Sequence, residues 1–377
     1  MNLLANLKRI AHFLYGRRRE VLSKEFWDTV ARVTRSRFNF WERVGGDEYE
    51  RNLRAIELRP WSLYLELTNI CNSNCIFCAY QYQTRPRDVM SDTVFRKALD
   101  DYCAMGGGDL LLEVIVGDPA LDPKFIWRIR QARVRPEIAS IETITNGIAF
   151  EEGEIPELVR SGISKILIST GPWKQELYEE IYRNRLYKRV LRNIRSLLEE
   201  NAKAGCPVEI KIAFRSNLSM RETILLPDYQ EVAHLPHKVE FNTDFDTWGG
   251  RIKAGDLLPG MHLRPPVRLE REPCWWLYEG PTVFADGRVG LCACRDLNAD
   301  SELVVGDIMA RSLLEIWRSG DVQRIREQFR RGDFPGICRG CTMYVNLGMY
   351  RTRAGSERAR ITLKRLKSKE QFNIGGE

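Results

Sequence analysis

A chain of 377 residues, 44% hydrophobic and 29% charged, can bury a substantial core and is long enough for one large or two ordinary domains. It contains no run of 18 apolar residues, so no membrane-spanning helix is expected. The excess behind the net charge of +7 is concentrated in the N-terminal arm and the tail after Thr352, with basic residues otherwise dispersed; it permits an anionic substrate without requiring one, and no nucleic-acid module is recognisable.

Residues 1–60 read as charged, aromatic-containing helices forming an N-terminal extension that ends at Arg59-Pro60. The opening MNLLANLKRIAHFLYGRRRE has positive charge on both sides of its apolar positions and no small-residue cleavage site, which argues against a secretory signal. An amphipathic helix packed on the protein accounts for it, with a peripheral membrane or anionic contact as the alternative.

From residue 61 the pattern alternates. Strands are expected at 61–68, 109–116, 140–145, 164–169, 208–214 and 238–245, with helices at 91–104, 123–134, 155–161, 174–203 and 221–233. Ser91 is a fitting N-cap, and Gly106–Gly108 and Gly205 are fitting stops. Six strands alternating with helices argue for parallel βα units, hence an α/β sheet or partial barrel over 61–260. Ligands then collect at the C-terminal strand ends. Those ends carry a cysteine triad, then Gly117-Asp118-Pro119, Asn146-Gly147 and Ser169-Thr170-Gly171.

After about residue 260 the Pro-rich segment LPGMHLRPPVRLEREP leads into a smaller unit, 261–350. A hairpin is expected around Asp286-Gly287, followed by short helices at 312–319 and 322–331. Residues 351–377 form a basic tail.

Ten cysteines fall into two groups about 200 residues apart, with Cys103 and Cys206 between them. In a large chain without an export signal, thiols stay reduced and clustered cysteines suggest metal rather than disulfides, which implies a cytoplasmic protein. Cys71, Cys75 and Cys78, at i, i+4 and i+7, can hold three irons of a [4Fe–4S] cluster and leave the fourth open for chemistry. Zinc is the competing reading, but it usually takes four ligands, and no fourth cysteine or histidine lies nearby.

The segment ELTNICNSNCIFCAY resembles the cluster loop of the radical S-adenosylmethionine superfamily. The resemblance implies that Phe77 approaches the adenine ring. Gly117, Asp118 and Pro119 stand where that family has Gly-Glu-Pro, whose backbone holds the methionyl amino group. Ser169-Thr170-Gly171 stands at its ribose-side segment, with Thr170 in place of an aspartate. Asn146, at the third strand end, joins the cofactor-binding set. The implied fold is a partial (β/α)₆ TIM-like barrel. The implied cofactors are S-adenosylmethionine and the first cluster, supplied with electrons by a reductant such as flavodoxin or ferredoxin.

In the second group, Cys274, Gly287 and Cys292 match the opening of the SPASM/twitch extension of that superfamily, and Cys338-Arg-Gly-Cys341 follows. Four thiolates can complete a second [4Fe–4S] cluster or a zinc site; coexistence with the first triad favours the cluster. No cysteine follows Cys341, which points to one auxiliary cluster, as in the shorter twitch form.

Cys294 is surplus. If 289–295 is a strand, it shares a face with Cys292 and could replace it as ligand, donate hydrogen to a substrate radical, or simply be buried. Cys103 and Cys206 read as structural. Asp244, Asp246 and Arg251, after the sixth strand, could bind hydroxyls or take a proton. The expected reaction is oxidation or epimerisation of a hydroxyl-bearing carbon in a carbohydrate, cyclitol or related small molecule; the alternative is modification of a ribosomal peptide.

Overall fold

Runs rich in Leu, Ile and Val alternate with capped helices, and each run becomes a strand of one sheet. The computed structural model describes residues 57–112 and 115–347. The helices expected before residue 57 and the basic tail lie outside the described residues.

β1 (Ser62–Leu65), β2 (Gly108–Leu112), β3 (Ile138–Thr145), β4 (Lys165–Thr170), β5 (Glu209–Arg215) and β6 (Lys238–Asn242) lie side by side in chain order. Every neighbouring pair is parallel. The crossovers contain α1 (Asp92–Ala104), α2 (Phe125–Arg133), α3 (Ile155–Val159), α4 (Gln175–Tyr182), α5 (Tyr187–Lys203), α6 (Met220–Ile224) and α7 (Pro227–Gln230). This is an α/β fold of the partial (β/α)₆ type, with strand residues such as Leu110, Ile166, Ile168 and Ile212 buried in its core.

Local chemistry sets the boundaries. The Ser91 hydroxyl accepts a hydrogen bond from the Val94 amide at 3.2 Å and starts α1. The helix ends before Gly106, Gly107 and Gly108, all at positive φ. The helix expected over 174–203 is two helices. Arg183 adopts a left-handed φ of 50°, and the Asn184 side chain accepts the Leu186 amide, so the chain turns between α4 and α5. The helix expected over 221–233 is likewise divided, because Pro227 opens a new one.

The sixth strand also stops early. It ends at Asn242, and β7 (Asp244–Phe245) leaves the sheet to pair with β8 (His262–Leu263).

The C-terminal unit continues the barrel sheet. β9 (Thr282–Val283) runs parallel to β1, and β10 (Arg288–Gly290) and β11 (Val304–Asp307) extend it antiparallel, giving nine strands in the order β11-β10-β9-β1-β2-β3-β4-β5-β6. Around them lie α8 (Trp276–Glu279), α9 (Leu313–Trp317) and α10 (Gly320–Arg331). The expected hairpin around Asp286-Gly287 is present as β9–β10. The expected strand over 289–295 ends at Gly290, so Cys292 and Cys294 occupy a loop. No helix among the described residues is long and apolar enough to cross a membrane.

Candidate active site and auxiliary cysteine site

The loop after β1 is held from both sides. On one side Asn69 Nδ2 donates to the Pro86 carbonyl at 2.7 Å, Asn69 Oδ1 accepts from the Asp88 amide at 2.8 Å, and Thr68 Oγ1 donates to the Asp88 carbonyl at 2.7 Å. On the other, Ser73 Oγ donates to the Tyr182 carbonyl at 2.8 Å and the Ile76 amide to Ile181 at 2.9 Å, so the C-terminal end of α4 supports the loop. Glu66 is buried and forms a bidentate pair with Arg85, with one contact at 2.7 Å.

Cys71, Cys75 and Cys78 are brought together there. Burial raises all three thiols above their ordinary 9.0: Cys71 to about 12, with the Asp118 charge adding, Cys78 to about 11, and Cys75 well above. Cys78 and Cys71 further raise Cys75. Such a site resists carrying thiolates unless a metal compensates their charge, which is what an iron–sulfur group does. Among the described residues no three metal-ligating side chains converge on one ion-sized point; irons that each take one thiolate need wider spacing.

Gly117 is forced. Its φ is 123°, and a Cβ would lie 2.9 Å from the Thr68 carbonyl oxygen. The second strand end thus lies directly against the cysteine loop. The cofactor contact expected of this segment is a backbone one, and the Asp118 side chain is tied into the scaffold. Its carboxylate accepts from the Asn146 amide at 2.6 Å, Thr145 Oγ1 at 2.8 Å and the Ala120 amide at 3.0 Å, while its own amide donates to Ile70 at 2.8 Å. Burial raises it from 3.8 to about 6. Pro119 is buried in the short helical turn that Asp118 caps. Asn146 joins the third strand end to the loop, donating to Asn72 Oδ1 at 2.8 Å and to Cys71 Sγ at 3.8 Å.

Phe77 stacks on Phe245, with centroids 4.9 Å apart, and meets Tyr182 edge-on at 5.7 Å. Ser169 accepts a 3.4 Å hydrogen bond from Arg215 Nε at the ends of β4 and β5. At Gly171 a Cβ would come 3.0 Å from both Tyr178 and Tyr182, whose rings stack at 4.8 Å. Three further strand ends thus gather around the loop of the first triad.

The second group also converges. Cys274, Cys292, Cys294, Cys338 and Cys341 line one cavity, together with Arg295, Phe329 and Tyr344. Burial raises Cys274 to about 12 and Cys292 to about 11, and drives Cys294 and Cys338 up as well. Cys274, Cys292 and Cys341 all act on Cys338. Cys294 shares this cavity although no strand places it there.

The acidic expectations change. Asp244 is exposed on β7, and Arg251 Nη1 only reaches the Trp248 carbonyl at 3.4 Å from an exposed position, so neither shares these contacts. Asp246 is half-buried; it pairs with Arg295 and accepts from Thr342 Oγ1. Its charge nevertheless reaches Cys78. Arg295, Trp248, Arg85 and Tyr182 escaped sequence reasoning. Only the position of Arg295 directly after Cys294 was a signal.

The Radical SAM superfamily sequence model matches residues 65–224, and the iron–sulfur cluster-binding SPASM model matches residues 274–342. The chain therefore belongs to the radical S-adenosylmethionine superfamily and carries a SPASM-type auxiliary domain. Its cofactors are S-adenosylmethionine and two [4Fe–4S] clusters.

Among curated relatives, it is 28% identical over 107 residues to the tungsten-containing aldehyde ferredoxin oxidoreductase cofactor-modifying protein of Pyrococcus furiosus, covering 28% of this chain and 30% of that one. The chain spans less than half the length of such relatives. Among solved structures, BtrN in complex with AdoMet and 2-DOIA aligns with a TM-score of 0.51 at 16% identity, over 77% of this chain and 94% of BtrN. SuiB of Streptococcus suis, bound to its precursor peptide SuiA, aligns at 0.55 and 12% identity, over 81% of this chain and 77% of SuiB. Both likenesses concern the fold.

Proposed function

We propose that this enzyme oxidises a hydroxyl-bearing carbon of a carbohydrate, cyclitol or related small molecule. In this reading Cys71, Cys75 and Cys78 ligate the first cluster, and Cys274, Cys292, Cys338 and Cys341 ligate the auxiliary one. When bound, the first cluster and S-adenosylmethionine supply a 5′-deoxyadenosyl radical, given one electron by a carrier such as flavodoxin or ferredoxin. The three strand ends around the triad orient cofactor and substrate. Loss of a hydrogen atom, then of one electron and one proton, converts the carbinol to a carbonyl. Held by Cys274, Cys292, Cys338 and Cys341, an auxiliary cluster would supply an acceptor for that electron.

The placement of Cys294 carries the choice of oxidation over epimerisation. An epimerase needs a thiol set apart to return hydrogen to the substrate. Here Cys294 shares the cavity of the four auxiliary cysteines, Cys103 sits on α1, and Cys206 is exposed in the turn after α5. Among the described residues no other thiol is available.

The likeness to BtrN over 94% of its length favours a small substrate. Peptide modification is the second reading, favoured by the likeness to SuiB. Anaerobic assay of 5′-deoxyadenosine release against sugars, cyclitols and peptides tests both. A small-molecule product two hydrogens lighter supports oxidation. Solvent deuterium in a product otherwise of unchanged mass would replace it with epimerisation, and turnover of peptides alone would replace it with the second reading.

A further inference from the structure

Arg295 lines the auxiliary cysteine cavity and meets Trp248, which bonds the first cysteine loop, and three of its five N–H donors are unused. Its side chain is only 7% exposed. Nη1 is committed, donating to the Cys294 carbonyl at 2.7 Å and pairing with Asp246. Asp246 is fixed in turn by Thr342, on the far side of Cys341. The guanidinium sits over Trp248, with Cζ 5.1 Å from the ring centroid, and Trp248 Nε1 donates to the Phe77 carbonyl at 3.2 Å. Arg295 is therefore braced from the barrel side by a residue bonded to the first cysteine loop.

The opposite edge is different. Nε and Nη2 are both buried, and neither has a hydrogen-bond partner among the described residues. These two N–H groups share one edge of the planar guanidinium, the fork that suits a bidentate, electron-rich acceptor. Leaving both unsatisfied in a buried site is costly. The cavity that Arg295 lines is the one lined by Cys274, Cys292, Cys294, Cys338 and Cys341.

We propose that Arg295 is a positioning residue for the auxiliary cluster, its Nε–Nη2 edge donating to the cluster's sulfur atoms while Asp246 and Trp248 hold the guanidinium in place. Donors to sulfur, and a nearby positive charge, stabilise the reduced cluster and raise its potential. Arg295 thereby makes the auxiliary site a better electron acceptor. It also ties that site mechanically to the loop bearing the first triad.

This inference rests on the auxiliary ligand assignment but not on the substrate. Iron and sulfide analysis of Cys338→Ala, which should lose only the auxiliary cluster, tests that assignment separately.

The experiment is an anaerobic redox titration of the reconstituted full-length protein, followed by electron paramagnetic resonance without substrate. Arg295→Met should favour the oxidised auxiliary cluster at least tenfold at fixed potential, a fall of 59 mV for a one-electron couple. The first cluster, recognised by its response to S-adenosylmethionine, should not move. Arg295→Lys keeps the charge but loses the fork, so its midpoint should fall by less. An unchanged auxiliary midpoint in both variants overturns the proposal, as does an equal shift of both clusters. Loss of auxiliary iron in Arg295→Met combined with a wild-type midpoint in Arg295→Lys also overturns it.

Discussion

At the scale of single residues, the side chain of Asp118 ties two strand ends together. Its buried carboxylate binds the third strand end and caps the turn that follows it. A raised folded-state value means that the protonated form is favoured in the fold. The associated stability is complete below 3.8 and is lost as pH rises through about 6. A shift of about two pH units corresponds to about 3 kcal/mol. Asp118→Asn has no charge to bury, so its stability relative to wild type should improve by up to about that amount between pH 4 and pH 7. Urea denaturation of both proteins across that range checks this; parallel pH profiles would contradict it.

The same scale separates what was legible in the sequence from what was not. The triad and the pair Cys338/Cys341 could be read because chain spacing alone brings them close. Gly117 was legible as a strand-end residue. Asp246 pointed to acid–base chemistry because nothing in the chain announces that Arg295, 49 positions later, neutralises it. Such pairs are made by tertiary packing and leave no periodicity.

At the scale of elements, Ser91 and Gly106–Gly108 marked the start and stop of α1, whereas the helix expected over 312–319 is shorter, capped by Ser312 and ending at Trp317. The interruption between α4 and α5 was hidden, because it rests on one left-handed arginine in an otherwise helical pattern. That interruption has a use: it frees the end of α4 to receive Ser73 and Ile76 from the cysteine loop.

The Glu66–Arg85 pair links three elements. It joins the end of β1 to the segment after the triad, and Glu66 also accepts from the Ala285 amide at 3.2 Å in the β9–β10 hairpin. Burial raises Glu66, and Arg85 opposes that rise. Arg85→Met strands a buried carboxylate and should cost roughly 3–5 kcal/mol in a chemical denaturation experiment. Adding Glu66→Gln should recover most of the loss, because the stranded charge is then gone. A double variant no more stable than Arg85→Met would show that packing, not charge, dominates there.

At the scale of the molecule, the expectation of a barrel followed by a smaller unit omitted how the two join. β9 adds to the free edge of β1, so that one nine-stranded sheet carries both cysteine groups. The approach is close: the Trp61 amide donates to the Glu279 carbonyl at 2.9 Å, and a Cβ at Gly280 would lie 1.9 Å from the Ser62 carbonyl oxygen. Gly280→Ala should therefore weaken the seam and lower the thermal midpoint by several degrees, with the auxiliary cluster lost before the first on heating. Simultaneous loss of both absorption signals at an unchanged temperature would contradict that order.

The proposed mechanism divides labour between an open cluster on the barrel and a fully ligated one at its edge. Mössbauer spectroscopy with iron counting on wild type and on Cys338→Ala/Cys341→Ala tests it most directly. About eight irons are expected in the wild type and about four in the double variant, with the spectrum of the remaining cluster still perturbed by S-adenosylmethionine. Retention of both clusters, or loss of the S-adenosylmethionine-sensitive one, would contradict it.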